Sequence, residues 1–572
     1  MLKTKIEIIL IGTILLLMPF VAGADYQGQK NNFFIDSSYD AFLREGISAT
    51  LREISANLYF YLDDQWWESL SFEKKEKIQN SLKVLAIEFE NKIYPILTNT
   101  FGSEWKPGID RDERITILIH PMVEEAGGYF NSGDEYPKLQ NPKSNQREMI
   151  YLNASHILSP NLKSFLSHEF THLITFNQKE KTFGVSEEVW LNEARAEYAP
   201  TLLGYDDIYE GSNLQKRVKI FLERPHDSLT SWENKKADYG VVNLFTQYLV
   251  DHYGKKILVD SLHSSKIGIP SLNEALEKND FEEDFSKIFS DWLITVLIND
   301  CSFGKKYCYQ NPNLKNLRIS PEINFLPLTG ESSLSIARTS KNWAGVWQKI
   351  VGGKGILILK FDGDDRVNFK VPYLVCDYQK KCEINFLNLD KEQKGKIEIP
   401  QFNTKYTSLI IIPSIQTKIS GFDDPEPSYS FSWSASIAEK TEEEKRAEMV
   451  ERLLEQISFL QAEIARVQAQ INAILAERGQ LISCQRFESN LYFGLTNNAQ
   501  VRCLQEFLKS QGPEIYPEGL VTGNFLSLTK AAVIRFQEKY TSEILVAPLG
   551  LQKGTGYVGP ATRAKINQLL NY

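Results

Sequence analysis

Apolar and polar positions follow three different periods along the chain, and each period marks a different kind of element. Between Ile78 and Ile93 the apolar residues recur at helical spacing, whereas Arg114-Ile115-Thr116-Ile117-Leu118-Ile119 and Met149-Ile150-Tyr151-Leu152 read as short strands. Mixed helices and strands continue to about residue 325, which predicts one α+β unit over residues 25–325. Farther on, Gly355 to Phe361, Val367 to Val371 and Ser408 to Ile412 are β-rich runs divided by Gly, Asp and Pro, predicting a β-sandwich over 326–437. From Glu439 the spacing becomes a strict three-four alternation through Val450, Leu453, Ile457, Leu460, Ile464, Val467, Ile471 and Ile474. With β-branched residues at a and Leu453 and Leu460 at d, residues 438–480 predict a coiled-coil stalk. The stalk has two readings, a homodimer seam through 450–474 or a lone spacer helix. A small all-helical segment with glycine turns closes the chain at 481–572.

The amino terminus has a pattern of its own. Lys3 and Lys5 precede an apolar run from Ile8 to Met18, and Ala22-Gly23-Ala24 supplies small residues before Asp25, which predicts a signal peptide over 1–24 and an exported protein. Export gives the six cysteines a meaning, since thiols outside the cytosol usually pair. Proximity along the chain suggests Cys301 with Cys308, Cys376 with Cys382 and Cys484 with Cys503.

At roughly 100–200 residues per domain, 572 residues suit several units, and the 42% hydrophobic, 24% charged composition is that of globular chains. The net charge of −9 argues against a general nucleic-acid binder. That figure conceals a split: nine Lys and Arg against six Glu give the segment 481–572 a charge of +3, leaving −12 for the rest.

The candidate chemistry is concentrated in His168-Glu169-Phe170-Thr171-His172, inside a segment of helical periodicity from Leu162 to Phe176. Histidines at i and i+4 share one helix face and can reach one metal, with Glu169 beside them to take a proton from water. A second predicted helix carries Trp190-Leu191-Asn192-Glu193-Ala194-Arg195-Ala196-Glu197-Tyr198. Glu193 is the candidate third ligand of a single Zn2+, and Glu197, one turn later, can orient a ligand histidine. Ser186 is the expected N-cap of this helix. Asp362, Asp364 and Asp365 suggest Ca2+ or, more simply, a turn.

These residues together resemble the gluzincin metallopeptidases, the class of thermolysin and aminopeptidase N. The surroundings are similar to its hyicolysin-like branch over about residues 32–325: Phe101 to Asp110, Ala126-Gly127-Gly128-Tyr129-Phe130, Ser167 to Asn177, Asp238-Tyr239-Gly240, and Asp251-His252-Tyr253-Gly254. The resemblance implies a zincin-type fold holding one catalytic zinc. It also implies Glu169 as general base and acid, and Tyr239 as a donor to the tetrahedral oxyanion, with His226 as a rival. Gly128 and Tyr129 then belong to an edge strand that binds substrate main chain. No Gly-x-Met-Glu-Asn segment for gripping a free amino terminus is present, which favours cleavage of internal peptide bonds.

The closing segment resembles the peptidoglycan-binding domain of bacterial wall enzymes in Val501 to Leu508, Val521-Thr522-Gly523-Asn524-Phe525, Thr529 to Gln537 and Gly556 to Thr562. Leu526 departs from the glycine usual there. Leu504, Phe525, Val533 and Phe536 are expected in its core. Two alternatives to a wall-held endopeptidase stand, a non-catalytic wall-associated protein on a degenerate protease fold and a peptidoglycan hydrolase.

Overall fold

The computed structural model describes residues 24–328, 332–417, 426–438, 442–477 and 484–571. The expected signal segment 1–24 lies outside them but for Ala24, as do parts of both ends of the expected stalk. No helix among the described residues is long and apolar enough to cross a membrane. The molecule is multidomain, built of helices and mixed sheets, and forms two compact units, Met1–Ala438 and Glu439–Tyr572.

The first unit begins with a six-stranded mixed sheet: β1 (Lys30–Phe34), β2 (Gly46–Ile54), β3 (Leu58–Asp63), β4 (Ile115–His120), β5 (Gly128–Phe130) and β6 (Met149–Asn153), in the order β1-β2-β3-β4-β6-β5. β3, β4 and β6 run parallel, and β5 lies antiparallel to β6 at the edge. Period-two alternation sorts the side chains. Leu58, Phe60, Leu62, Ile117, Ile119, Ile150 and Leu152 face the helices, while Tyr59, Tyr61, Leu118 and Tyr151 pack with Phe33, Ile47 and Leu51 on the other side.

The helical run from Ile78 to Ile93 lies in helix Phe72–Glu88 and the π turn that follows it. Helix Leu162–Thr175 sets Leu166, Phe170, Leu173 and Ile174 into the core against the sheet, which fixes the face on which its histidines emerge. Helices Val189–Leu202, Lys236–Tyr253 and Phe285–Ile298 complete this layer.

The β-rich region is one nine-stranded sheet that curls nearly closed, like a barrel. Gly355–Gly363 pairs with Lys394–Phe402 and Tyr429–Ile437, and Pro372–Asp377 pairs with Tyr406–Ile411; the two groups are joined through the single pair Phe402 and Tyr406. The run Val367 to Val371 supplies only the two-residue strand Phe369–Lys370. This sheet is not isolated from the helices. Trp347, fully buried, donates from its indole to Leu293 O at 2.9 Å, and the Leu229 amide donates to Trp343 O at 2.8 Å.

All six cysteines are paired as proximity suggested: Cys301–Cys308, Cys376–Cys382 and Cys484–Cys503.

The second unit contains helix Glu442–Glu477 and a small helical body whose core includes Leu504, Phe525, Val533 and Phe536, all fully buried. Two glutamines brace it in the same way. Gln505 accepts the amides of Thr522 and Gly523 (2.7 and 2.8 Å) and donates to Thr529 Oγ1 at 2.8 Å; Gln537 accepts those of Thr555 and Gly556 (2.8 and 2.9 Å) and donates to Thr562 Oγ1 at 2.9 Å. Leu526, the departure noted above, has φ −107° in extended backbone, so the turn does not require glycine there.

Two acidic side chains are buried near the starts of β4 and β6. Glu148 accepts the Ile109 amide at 2.7 Å, and its carboxylate occupies the space that a Cβ on Gly108 would take. Glu135 is buried with no donor on either oxygen. Burial raises both carboxyls above their ordinary range, and the Glu148 charge raises Glu135 further. A carboxyl whose folded value is raised stabilises the fold while protonated, and that contribution fades as pH rises past the ordinary carboxylate value through the raised one. The melting temperature is therefore expected to fall between about pH 5 and about pH 8, and Glu148→Gln, which keeps an acceptor for Ile109, to flatten that fall. Calorimetry across this range checks it; parallel profiles for the two proteins would remove the pair from the account.

Candidate metal centre

Helix Leu162–Thr175 places His168 and His172 one turn apart with their Nε2 atoms 3.1 Å from each other. Helix Val189–Leu202 crosses beside it and brings Glu193 Oε2 to 3.2 Å from His168 Nε2 and 3.6 Å from His172 Nε2. Their donor atoms all lie within 4.8 Å of one another, and no other such group of three His, Cys, Asp or Glu occurs among the described residues. Glu193 Oε2 is buried without a hydrogen-bond donor. Two facing imidazole nitrogens and an orphaned carboxylate oxygen are three lone-pair donors around one point, a set that fits a divalent cation.

The groups behind these donors fix their directions. Asn192 Oδ1 lies 3.0 Å from His172 Nδ1, and Glu197 Oε1 lies 3.4 Å from His168 Nδ1. Each contact favours the tautomer that leaves Nε2 free to bind metal. Glu197 is fully buried and would be costly as a lone charge, but Arg217 grips it with two bonds, Nε to Oε2 at 2.8 Å and a terminal nitrogen to Oε1 at 2.6 Å. Asn213 and Asn243 donate to its Oε2 at 3.1 and 3.2 Å.

The electrostatics favour positive charge at the centre. Burial opposes charging of His172, yet the Glu193 charge, with Glu169, pushes it up to about 9. His168 is raised against burial by Glu193 and Glu169 in the same manner. Burial would lift Glu193, but the neighbouring histidines hold it well below the ordinary carboxylate range. Glu169 is raised by burial. A cation would take the place of the protons that this carboxylate-rich cluster attracts.

Two cavities of about 340 and 350 Å³ share Tyr39, Gly128, His168, Glu169 and Tyr239 in their walls, so His168 and Glu169 stand between the two, while His172 and Glu193 line the first. Gly128 lies on edge strand β5, where a Cβ would fall 2.5 Å from Tyr151 O and 3.2 Å from the Glu169 side chain. A larger residue would push the strand away from Glu169. Tyr129 reaches the cavity wall, but its ring is buried, stacked between Tyr151 at 4.1 Å and Tyr39 at 4.6 Å. Tyr239, near the start of helix Lys236–Tyr253, lies under the Arg217 guanidinium at 4.7 Å and against Trp232. Burial, then the charges of Glu193 and Glu197, raises its phenol and keeps it a neutral donor.

Several expectations change here. His226 does not line the cleft; its Nδ1 lies 2.9 Å from Gly345 O and its ring packs on Trp347. Ser186 is not the N-cap of Val189–Leu202. Glu188 takes that position, its side chain accepting the Trp190 indole at 2.6 Å rather than capping a backbone amide, and buried Glu187 holds the segment, accepting from Gly268 N at 2.8 Å and Arg195 at 2.9 Å. The acidic turn at Asp362, Asp364 and Asp365 forms no cluster of three ligands, and Asp364 is bound by Arg366 at 2.6 Å.

Asn192, Arg217 and Tyr39 escaped the sequence reading. Tyr39 is held at the cleft because Asp40 accepts from Phe42 N, Arg44 N and the Arg44 side chain and lies 3.1 Å from His120 Nδ1.

No protein-family model matches the chain, and neither does any curated protein. Among solved structures it aligns with PliG of Aeromonas hydrophila, a periplasmic inhibitor of g-type lysozyme (14% identity, 21% of this chain and 100% of that one, TM-score 0.15). It also aligns with the Yersinia pseudotuberculosis-derived mitogen (10% identity, 20% and 92%, TM-score 0.14). A third is CorA, a surface-associated copper-binding protein of Methylomicrobium album BG8 (8% identity, 21% and 100%, TM-score 0.13). At such TM-scores these likenesses carry no argument.

The Arg217 bracket generates a test. Arg217→Met should weaken binding of a divalent metal by roughly 10–100-fold while the circular dichroism spectrum is kept, because His168 loses its oriented partner. Competition with a chromogenic chelator measures this, and an unchanged affinity would mean that Glu197 does not set the histidine.

Proposed function

We propose that the chain is an exported zinc-dependent endopeptidase of the gluzincin type, similar to the hyicolysin-like branch, held at the cell wall by its closing domain. The observation that carries this reading is the convergence of His168 Nε2, His172 Nε2 and Glu193 Oε2 beside Glu169, which with His168 lines a cavity on either side.

His168, His172 and Glu193 are the residues that would hold the metal. When bound, zinc supplies Lewis acidity that lowers the pKa of water and polarises a carbonyl. The protein's own groups do the rest. Glu169, raised by burial, takes the proton from the attacking water and returns it to the leaving amine nitrogen. Tyr239 offers its phenol proton to the oxyanion of the tetrahedral adduct. Edge strand β5 has one unpaired side, along which a substrate main chain can add as a further strand. Cleavage within a chain needs room on both sides of the scissile bond, and the open cleft on either side of Glu169 supports it over trimming of ends.

Wall attachment is supported by composition and surface. The +3 segment suits anionic wall material, and the exposed rings of Tyr492 and Tyr557, 6.3 Å apart and nearly parallel, offer faces for sugars. The three disulfides suit an oxidising compartment.

Glu169→Gln should keep its zinc but lose about 10²–10⁴-fold in peptide hydrolysis. Tyr239→Phe should lower kcat by about 10²–10³-fold with KM little changed. A quenched-fluorescence peptide library with metal analysis reads both. A metal-free wild type that cuts nothing would turn the assignment towards a binding protein, and soluble fragments released from purified peptidoglycan towards a wall hydrolase.

A further inference from the structure

Helix Glu442–Glu477 runs for 36 residues, about 54 Å, with its apolar stripe uncovered. Val450, Leu453, Ile457, Leu460, Ile464, Val467, Ile471 and Ile474 are each 44–57% exposed, although they fall on the two positions of a heptad that face a partner. The small body of the same unit meets the helix at its flank, where Gln468, an e residue, donates to Val521 O at 3.0 Å. A lone helix of this kind gains nothing from its apolar face, and helices in water owe most of their stability to such packing. We propose that residues 450–474 form a parallel two-stranded coiled coil with a second copy of this chain.

The pattern selects that occupant. Val450, Ile457, Ile464 and Ile471 put β-branched side chains at every a position; Leu453 and Leu460 occupy d in the first half of the seam, the distribution that favours two parallel strands, and Val467 and Ile474 occupy d in the second half. The flanking residues are Met449, Gln456, Glu463 and Gln470 at g and Leu454, Gln461 and Gln468 at e. Among these the single charge is Glu463, which already lies 3.5 Å from Arg466. In a parallel pair Gln456 of one copy meets Gln461 of the other, and Glu463 meets Gln468, so self-pairing brings no like charges together. A charged foreign helix would find no opposite charges here to select it.

Parallel pairing has a consequence for the closing domains. Both follow the same end of the coil, so two copies would present two binding domains side by side. Where one wall contact holds the molecule, the second forms at high effective concentration. This part alone rests on the wall-binding reading.

Sedimentation equilibrium of the full chain should give twice the chain mass, and Ile457→Glu with Ile464→Glu should give a monomer whose melting temperature for the first unit is unchanged. A wild type that stays monomeric at every soluble concentration overturns the proposal, as does a trimer or tetramer. Ile471→Cys tests direction: with every native cysteine in a disulfide, mild oxidation should cross-link the copies only if they run parallel. A dimer that fails to cross-link overturns the parallel arrangement. Retention on insoluble peptidoglycan should drop by about 10²-fold in the double glutamate variant. If neither protein is retained, the wall reading fails while the mass measurement still decides the coil.

Discussion

Lone pairs brought together inside a protein repel unless a positive charge lies among them, and the first unit is organised around one such point. His168 Nε2, His172 Nε2 and Glu193 Oε2 approach within 3.1 to 3.6 Å of each other with no donor from the protein for Glu193 Oε2. Protons can relieve the repulsion, which is why His172 is driven up to about 9, but a divalent cation relieves it for all three at once. The core packing of helix Leu162–Thr175 and the crossing of Val189–Leu202 serve this convergence.

Support spreads outward from the donors. Arg217 neutralises buried Glu197, Glu197 faces His168, and Asn192 faces His172, so both rings are held from behind. The tyrosine stack from Tyr151 through Tyr129 to Tyr39 joins the sheet to the cleft wall. Tyr129 thus serves as a spacer rather than presenting its ring to a ligand. The β-rich sheet belongs to this assembly, since the Trp347 indole and the Trp343 carbonyl bond to the helical layer.

The legible parts of the sequence were those whose partners are local. Two histidines at i and i+4 share a face by helix geometry alone, and each disulfide closes a loop of 6, 7 or 19 residues. Strands β4 and β6 were plain as apolar runs because both their faces are buried. Arg217, Asn213 and Asn243 meet Glu197 from two other helices, and Tyr39 reaches the cleft from a loop far upstream, so no spacing announces them. The Ser186 expectation followed a sound capping preference that lost to the buried Glu187 and Arg195 pair. The paired glutamine braces of the closing domain were present in the sequence as Gln505 with Thr522-Gly523 and Gln537 with Thr555-Gly556. Their shared role emerges only when each amide is seen gripping its turn.

The central claim concerns what lies between three donor atoms, and X-ray absorption at the zinc edge of the purified protein addresses that directly. The account requires one zinc per chain with two imidazole nitrogens at about 2.0–2.1 Å, a carboxylate oxygen, a light-atom fourth neighbour and no sulfur. A spectrum showing sulfur ligands, or a protein that retains no zinc at the His168, His172 and Glu193 centre, would contradict it.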